Sequence, residues 1–395
     1  MRIALIADAF PPLRTSASVQ IRDLSLEFVN QGHDLTVFIP DGDLKNSHEI
    51  ANWNGILVVR VKAFKTKDVG YFRRTLSEFM LPYSMLFNLR NSQIKLAGFD
   101  GVVWYSPTIF FGPLARFIKS KSRCKAYLII RDIFPEWALD IGLMRKNIPY
   151  FIFKLVAHYQ YAVADVIGVQ TKGNESYFLG WKEKPKQRLE VLQNWHSETP
   201  NVGCSIDISS TKLANRKIFV YAGNMGVAQG VDTLIDLAEA LNDEEYIGFV
   251  FVGRGSDVPK IKRDALKRGL DNILFYDEID PSEIAGLYAQ CHVGLVALNP
   301  RHKTHNIPGK FLSYMQAGLP VLARVNSGND LIELIDQYRV GKSFTQGSIA
   351  EFSKLAESLI EEIDSDLIIS SRCIAVFEKL FSSEAAVKQI VSALA

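Results

Sequence analysis

Asn306-Ile307-Pro308-Gly309-Lys310-Phe311-Leu312-Ser313-Tyr314-Met315-Gln316-Ala317-Gly318-Leu319-Pro320-Val321 joins a loop, a helix start and a strand in one short run. Pro308 and Gly309 break what precedes them, residues 311–316 read as a short helix, Gly318 and Pro320 stop it, and Val321-Leu322 opens a strand. A helix that begins there leaves backbone N–H groups unpaired and turns the positive end of its dipole outward. Asn306, Ile307, Pro308 and Gly309 then form the mouth of an anion site, and Lys310 adds a full charge in the first turn. The alternative is a plain helix buried between two strands.

Working outward, the same alternation recurs along the chain. Strand-like runs at 2–7, 34–39, 101–104 and 125–130 are separated by helical patterns, of which 18–31 is the first. A second series has strands at 217–221, 247–252, 272–275, 293–298 and 321–323, with helices near 231–241, 256–268 and 281–290. This βαβ rhythm predicts an α/β fold of two Rossmann-like, doubly wound parallel-sheet domains. Residues 201–216 are rich in Ser, Thr and Asn without firm periodicity. They are placed as a linker between an N-terminal domain, 1–200, and a C-terminal domain, 217–381. Residues 382–395 open with a Ser-Ser-Glu helix start and carry apolar residues at helical spacing. That last helix has either domain to pack on, the N-terminal one included.

Composition agrees with two folded domains. The chain has 395 residues, 48% hydrophobic and 22% charged, more than one hydrophobic core usually organises. No apolar run approaches the roughly 20 residues needed to span a bilayer. The run after Met1-Arg2 is too short for a signal-peptide core and predicts a first strand, which places the chain in the cytoplasm as an expectation. Cys124, Cys204, Cys291 and Cys373 are far apart, with no spacing for zinc or a disulfide framework. Residues 1–200 carry 26 Lys/Arg against 18 Asp/Glu, and residues 201–395 carry 19 against 25, so the halves are +8 and −6. A basic N-terminal half suits an anionic surface or ligand. No nucleic-acid module is recognisable.

In open parallel sheets ligands sit beyond the carboxyl ends of strands, which directs attention to five loops. In the first, residues 8–18, the small side chains of Ser16 and Ala17 let backbone approach a ligand, or simply start a helix. In the second, Arg131-Asp132-Ile133-Phe134-Pro135-Glu136-Trp137 groups a guanidinium with two carboxylates beside aromatic rings, a catalytic arrangement or else a surface ion pair. The third, residues 221–230, is a glycine-rich turn containing Gly223, Asn224 and Gln229, able to wrap a diphosphate or to allow tight helix–strand packing. The fourth brings Gly253 and Arg254 after a strand of its own, with Arg254 a phosphate partner or a solvated charge. The fifth is the opening stretch, preceded by a polar mouth that includes His302 and His305. No third ligand stands beside these His residues, so no metal site is expected.

The order and spacing of these loops resemble the GT-B-type glycosyltransferases of the large retaining family, family 4, that includes sucrose and mannosyl transferases. Residues 10–37, Gln193-Asn194-Trp195, residues 249–253, the segment 275–279 with Asp277, Glu278 and Ile279, and residues 315–321 carry the resemblance over almost the whole chain. The subgroup resembled most is the bacterial O-antigen and capsule transferases that attach N-acetylfucosamine-type sugars to polyprenyl-diphosphate-linked acceptors. It rests on residues 132–136, 193–195, 221–230 and 307–310.

The resemblance implies two domains facing across a cleft, a nucleotide-sugar donor of the UDP type, a lipid-linked saccharide acceptor at the inner membrane surface, and no further cofactor or metal. It also implies retention by front-side attack without a covalent intermediate. Two departures stand out. Where the family carries two Glu seven residues apart, this sequence has His305 and Ser313, and the usual Arg and Lys of the glycine-rich turn are Asn224 and Gln229. Lys310, assisted by Arg254 or Lys172, is then expected to meet the diphosphate, and Arg131 or Asp132 to orient the acceptor hydroxyl. The same losses leave open a non-catalytic partner subunit of a polysaccharide assembly complex, or a nucleotide-sugar 2-epimerase. Residues 64–95, where Phe79, Met80, Leu81, Tyr83, Met85, Leu86 and Phe87 mingle with Arg73, Arg74, Arg90 and Lys95, predict an interfacial helix pair, with residues 148–161 a second candidate. The competing view packs those apolar residues inside the first domain.

Overall fold

A computed structural model describes residues 1–13, 15–66, 70–140, 142–178, 187–299 and 307–395. The chain forms two compact units, Met1–Ser197 with Ser383–Ala395, and Glu198–Ser382.

The first unit runs β1 (Arg2–Ile6), α1 (Ser16–Asn30), β2 (Asp34–Asp41), β3 (His48–Trp53), β4 (Ile56–Lys62), α2 (Tyr71–Arg90), β5 (Gly101–Ser106), α3 (Gly112–Ser122), β6 (Lys125–Ile130), α4 (Glu136–Asp140), α5 (Ile148–Val163), β7 (Val166–Val169) and β8 (Arg188–Val191). Its strands are ordered β3-β4-β2-β1-β5-β6-β7-β8. All pairs are parallel except β3 with β4, which close a hairpin at the edge. Asn54 and Gly55 both have positive φ there, the conformation that a two-residue turn between twisted strands requires. Central strands such as β5, Gly-Val-Val-Trp-Tyr-Ser, are buried on both faces, because helices cover both sides of a parallel sheet. One core layer holds Trp104, Phe110, Leu114 and Phe153; the other holds Phe28, Tyr105, Tyr127 and Trp195.

The second unit repeats the plan with β9 (Lys217–Ala222), α6 (Asp232–Ala240), β10 (Ile247–Val252), α7 (Val258–Lys267), β11 (Ile273–Tyr276), α8 (Ile284–Tyr288), β12 (Val293–Ala297), α9 (Gly309–Gln316), β13 (Val321–Arg324), α10 (Asp330–Tyr338), β14 (Gly341–Phe344), α11 (Ile349–Ser365) and α12 (Ile369–Val376). Its all-parallel sheet is ordered β11-β10-β9-β12-β13-β14. The segment read as a linker supplies Ile206, Ile208 and Leu213 to the core of this unit. The final helix, α13 (Ser383–Leu394), lies in the first unit: Val387, Ile390 and Leu394 enter its core, and the Gln389 amide donates to Glu190 and to the Val191 carbonyl.

One expectation is corrected. Residues 71–90 form a single helix, not an interfacial pair. Ser77, Leu81, Met85 and Leu89 are buried at a four-residue spacing, as the competing view held for that stripe, while Leu76, Met80, Tyr83 and Phe87 remain exposed on another stripe. In α5, Phe153 and Ala157 are buried while Ile148, Phe151, Ile152, Leu155 and Tyr159 are exposed.

Candidate functional site

Each sheet reverses its winding direction once, and loops splay apart at that point. In the second unit the reversal lies between β9 and β12. The turn after β9 is held by its own side chains: the Asn224 amide donates to the Gln229 side-chain oxygen at 3.0 Å, and the Gly226 N–H donates to the same oxygen at 3.1 Å. The two residues that stand where the resembled family carries cations are therefore a staple for the turn. The neighbouring turn packs directly against it. Gly253 has φ +139°, and a Cβ there would sit 2.1 Å from the Gly223 carbonyl oxygen; one at Gly255 would sit equally close to that of Met225. Only glycine lets these two backbones approach.

Helix α9 enters beside this pair of turns. Its N-cap is Pro308, which offers no side-chain cap; the Phe311 N–H donates to the Pro308 carbonyl at 2.9 Å, and the N–H groups of Gly309 and Lys310 before it have no side-chain cap. Phe311, Leu312, Tyr314 and Met315 bury its inner face, and the Tyr314 hydroxyl sits 3.1 Å from the Val220 and 3.2 Å from the Leu295 carbonyl oxygens. That pins the helix over β9 and β12. Ile307 is buried, Gly309 is exposed, and Ser313 is half-buried with its hydroxyl toward the Gly309 carbonyl.

Lys310 reaches back over the turn. Its ammonium is 4.4 Å from the centre of the Tyr221 ring and 3.2 Å from the Tyr221 hydroxyl, with Gly223 beneath it. No acidic group among the described residues lies within ion-pair distance. Burial lowers its pKa to about 8. Lys in an unfolded chain titrates near 10.4, so from pH 8 upward the unfolded state holds the extra proton, and the ligand-free fold gains stability as pH rises toward 10. Below pH 8 a partly buried cation stands with no acidic partner among the described residues, which an anionic ligand would relieve.

The other residues expected at this site are less committed to it. Arg254 forms a largely exposed ion pair with Glu278 at 3.3 Å, and the exposed Asp277 faces Lys262 at 3.5 Å. Ile279 packs at the edge of the core. His305 and Asn306 lie outside the described residues.

In the first unit the winding reverses between β1 and β5. Beyond the carboxyl ends of β1, β5 and β6 lies a cavity of about 640 Å³. Asp8, Thr108 and Asp132 line it from the strand ends; Phe134 from the loop before α4, Trp137 from α4 and Phe153 from α5 line it as well. Asp132 is exposed to this space, yet the apolar walls raise its carboxyl pKa against the opposing pull of Arg131. Arg131 itself turns away. Its guanidinium is buried, stacks 4.6 Å over Trp195, and donates to the carbonyls of Leu192 at 2.8 Å and Gln193 at 3.2 Å. Glu136 pairs with Lys154 at 3.4 Å. Arg131 and Glu136 thus brace the loop, and of the three residues grouped by sequence only Asp132 faces the cavity. Ser16 and Ala17 open α1 behind the cap made by Thr15, and neither lines the cavity. Asp8 and Thr108 carry no motif; the signal for both is their position just after a strand.

Among the described residues no group of three or more His, Cys, Asp or Glu is placed to hold a metal ion.

The crystal structure of Anabaena Alr3699/HepE in complex with UDP and glucose superposes with a TM-score of 0.65 at 15% identity, covering 100% of this chain and 99% of that one. The fold is therefore that of the GT-B glycosyltransferases. Residues 216–362 match the family described as glycosyl transferases group 1. The chain is 24% identical over 243 residues to the probable glycosyltransferase WbjE of Pseudomonas aeruginosa, covering 60% of each chain. It is 26% identical over 199 residues to the putative colanic acid biosynthesis glycosyl transferase WcaI of Escherichia coli K12, covering 45% of each. The chain thus spans 60% and 45% of the length of these two relatives. No helix among the described residues is long and apolar enough to cross a membrane.

Proposed function

We propose that the protein is a glycosyltransferase of polysaccharide biosynthesis that moves a sugar from a nucleotide diphosphate donor, UDP by preference, to a saccharide carried on a polyprenyl diphosphate. The observation that carries this reading is Lys310, a half-buried cation with no acidic partner among the described residues, standing over a glycine turn and beside a helix start without a side-chain cap. A diphosphate supplies the missing charge, and peptide N–H groups of the turn and of α9 supply hydrogen bonds that strengthen as the leaving group gains charge. The relatives' names, which speak of glycosyl transfer and colanic acid, and the UDP bound to HepE support the donor and the pathway class.

The reading assigns donor binding to the second unit and acceptor binding to the cavity of the first, with Asp132 orienting the acceptor hydroxyl. It requires no metal, because Lys310 takes the role of the counter-ion. Anomeric configuration is retained. The protein works at the cytoplasmic face of a membrane, held by the exposed apolar stripes of α2 and α5 and by neighbouring cations such as Arg73, Arg90 and Lys146.

Thermal shift with a panel of UDP-, GDP- and TDP-sugars tests the donor. A ligand that binds only the folded chain raises its midpoint. UDP-sugars are expected to do so; a panel without any shift contradicts the transferase and favours a non-catalytic partner.

A further inference from the structure

Tyr221 stands between Lys310 and the glycine turn, and its hydroxyl touches both. The ring is buried in the core layer on the other face of the sheet from α9, stacked on Phe251 with centroids 6.1 Å apart, so Lys310 crosses the carboxyl edge of the sheet to reach it. A phenol has one proton to give. That of Tyr221 goes to the Asn224 carbonyl at 2.8 Å, which leaves a lone pair of the hydroxyl for the Lys310 ammonium at 3.2 Å. The ammonium keeps its other protons, which have no acceptor among the described residues.

The N–H groups of the turn are unequally engaged. Gly223 donates to the Val252 carbonyl at 2.9 Å, Met225 to that of Arg254 at 2.7 Å, and Gly226 to the Gln229 side chain at 3.1 Å. The Asn224 N–H has no acceptor among the described residues. The peptide that carries it turns its carbonyl toward Gly253. A planar trans peptide sends the N–H the opposite way, to the side of β9 on which β12 lies and from which α9 enters.

We propose that Tyr221 is the positioning residue of the diphosphate site: its hydroxyl ties the Lys310 ammonium to the turn, so that the ammonium and the Asn224 N–H meet the diphosphate as a preset pair. The inference rests on the donor reading above and adds the residue that assembles the pair. Without that hydroxyl the long Lys310 side chain is untethered, and the incoming anion must order it.

UDP titrated calorimetrically into the whole protein, Tyr221→Phe, Lys310→Met and the double variant tests the tie, with a denaturant midpoint read on each sample. Tyr221→Phe keeps the ring and should weaken UDP about tenfold at pH 7. In the Lys310→Met background the same change should weaken it about threefold or less, because the ammonium it positions is gone. A purely structural role would lower affinity equally in both backgrounds. Tyr221→Met repeats the cycle with the ring removed as well, and its coupling to Lys310 should be no smaller. UDP affinity that ignores both substitutions of Tyr221, or losses that are equal in the two backgrounds, overturns the positioning role and leaves the donor reading standing. A parent that does not bind UDP, or a Lys310→Met variant that binds it as tightly as the parent, overturns the donor reading and this inference with it.

Discussion

The two units solve opposite problems with the same βαβ plan. At its winding reversal the second unit brings two backbones so close that side chains are excluded at Gly253 and Gly255, and leaves one cation to complete the site. The first unit opens a cavity at its reversal and fills the margin with acids and rings. Their surfaces differ in the same sense. Exposed apolar side chains of the first unit gather on α2 and α5, whereas in the second Val227, Tyr246, Leu266 and Leu367 come from separate elements. A doubly wound sheet fixes where a site lies; the residues after each strand decide whether it grips a small charged group or accommodates a large amphipathic one.

The sharpest way to break this contrast is at the glycines. Gly253→Ala combines a φ that side chains rarely adopt with a backbone clash, and it is expected to cost about 4 kcal/mol, read as a lower midpoint in denaturant. A loss under about 1 kcal/mol would mean that the two turns are not locked together.

In the first unit, neighbouring residues should separate stability from chemistry. Arg131→Met leaves two carbonyls without their charged donor and should cost about 3 kcal/mol. Asp132→Asn, at an open position, should leave the midpoint alone and slow transfer to the acceptor about a hundredfold with donor binding intact. Equal effects of the two changes on stability would erase the distinction between brace and site.

Smaller again is the surface effect. Leu155→Asp on the exposed stripe of α5 should lower sedimentation with anionic liposomes about tenfold at low salt and leave UDP binding unaltered. Equal recovery of the unaltered protein with and without liposomes would remove the membrane from the account.

Much of the layout was legible in the sequence because buried parallel strands announce themselves as continuous apolar runs. Residues 125–130 and 247–252 are strands over the lengths read. The edge hairpin was missed although Asn54-Gly55 is a direct turn signal, since β3 is short, exposed and polar. Pairings distant in sequence were not legible. Arg131 looked catalytic because its partners, the carbonyls of Leu192 and Gln193, lie some sixty positions away and carry no side-chain signature. Lys310 was recognised as a cation in a helix start, but its seat on Tyr221, 89 residues earlier, becomes visible only when β9 and α9 meet. Gln229 looked like a lost charge and is a staple of the turn.

The central claim is that Lys310 in its charged form holds the diphosphate. Titrating UDP calorimetrically into the protein and into Lys310→Met, at pH 7 and pH 9, tests it directly. With its pKa near 8, Lys310 must take up a proton to bind at pH 9, so affinity should fall about tenfold between the two values. The Met variant should bind at least tenfold more weakly at pH 7, show no such pH dependence, and be no less stable than the parent, because a partly desolvated cation with no acidic partner among the described residues has been removed. Unchanged affinity in the variant, or a pH dependence that survives the substitution, would contradict the account.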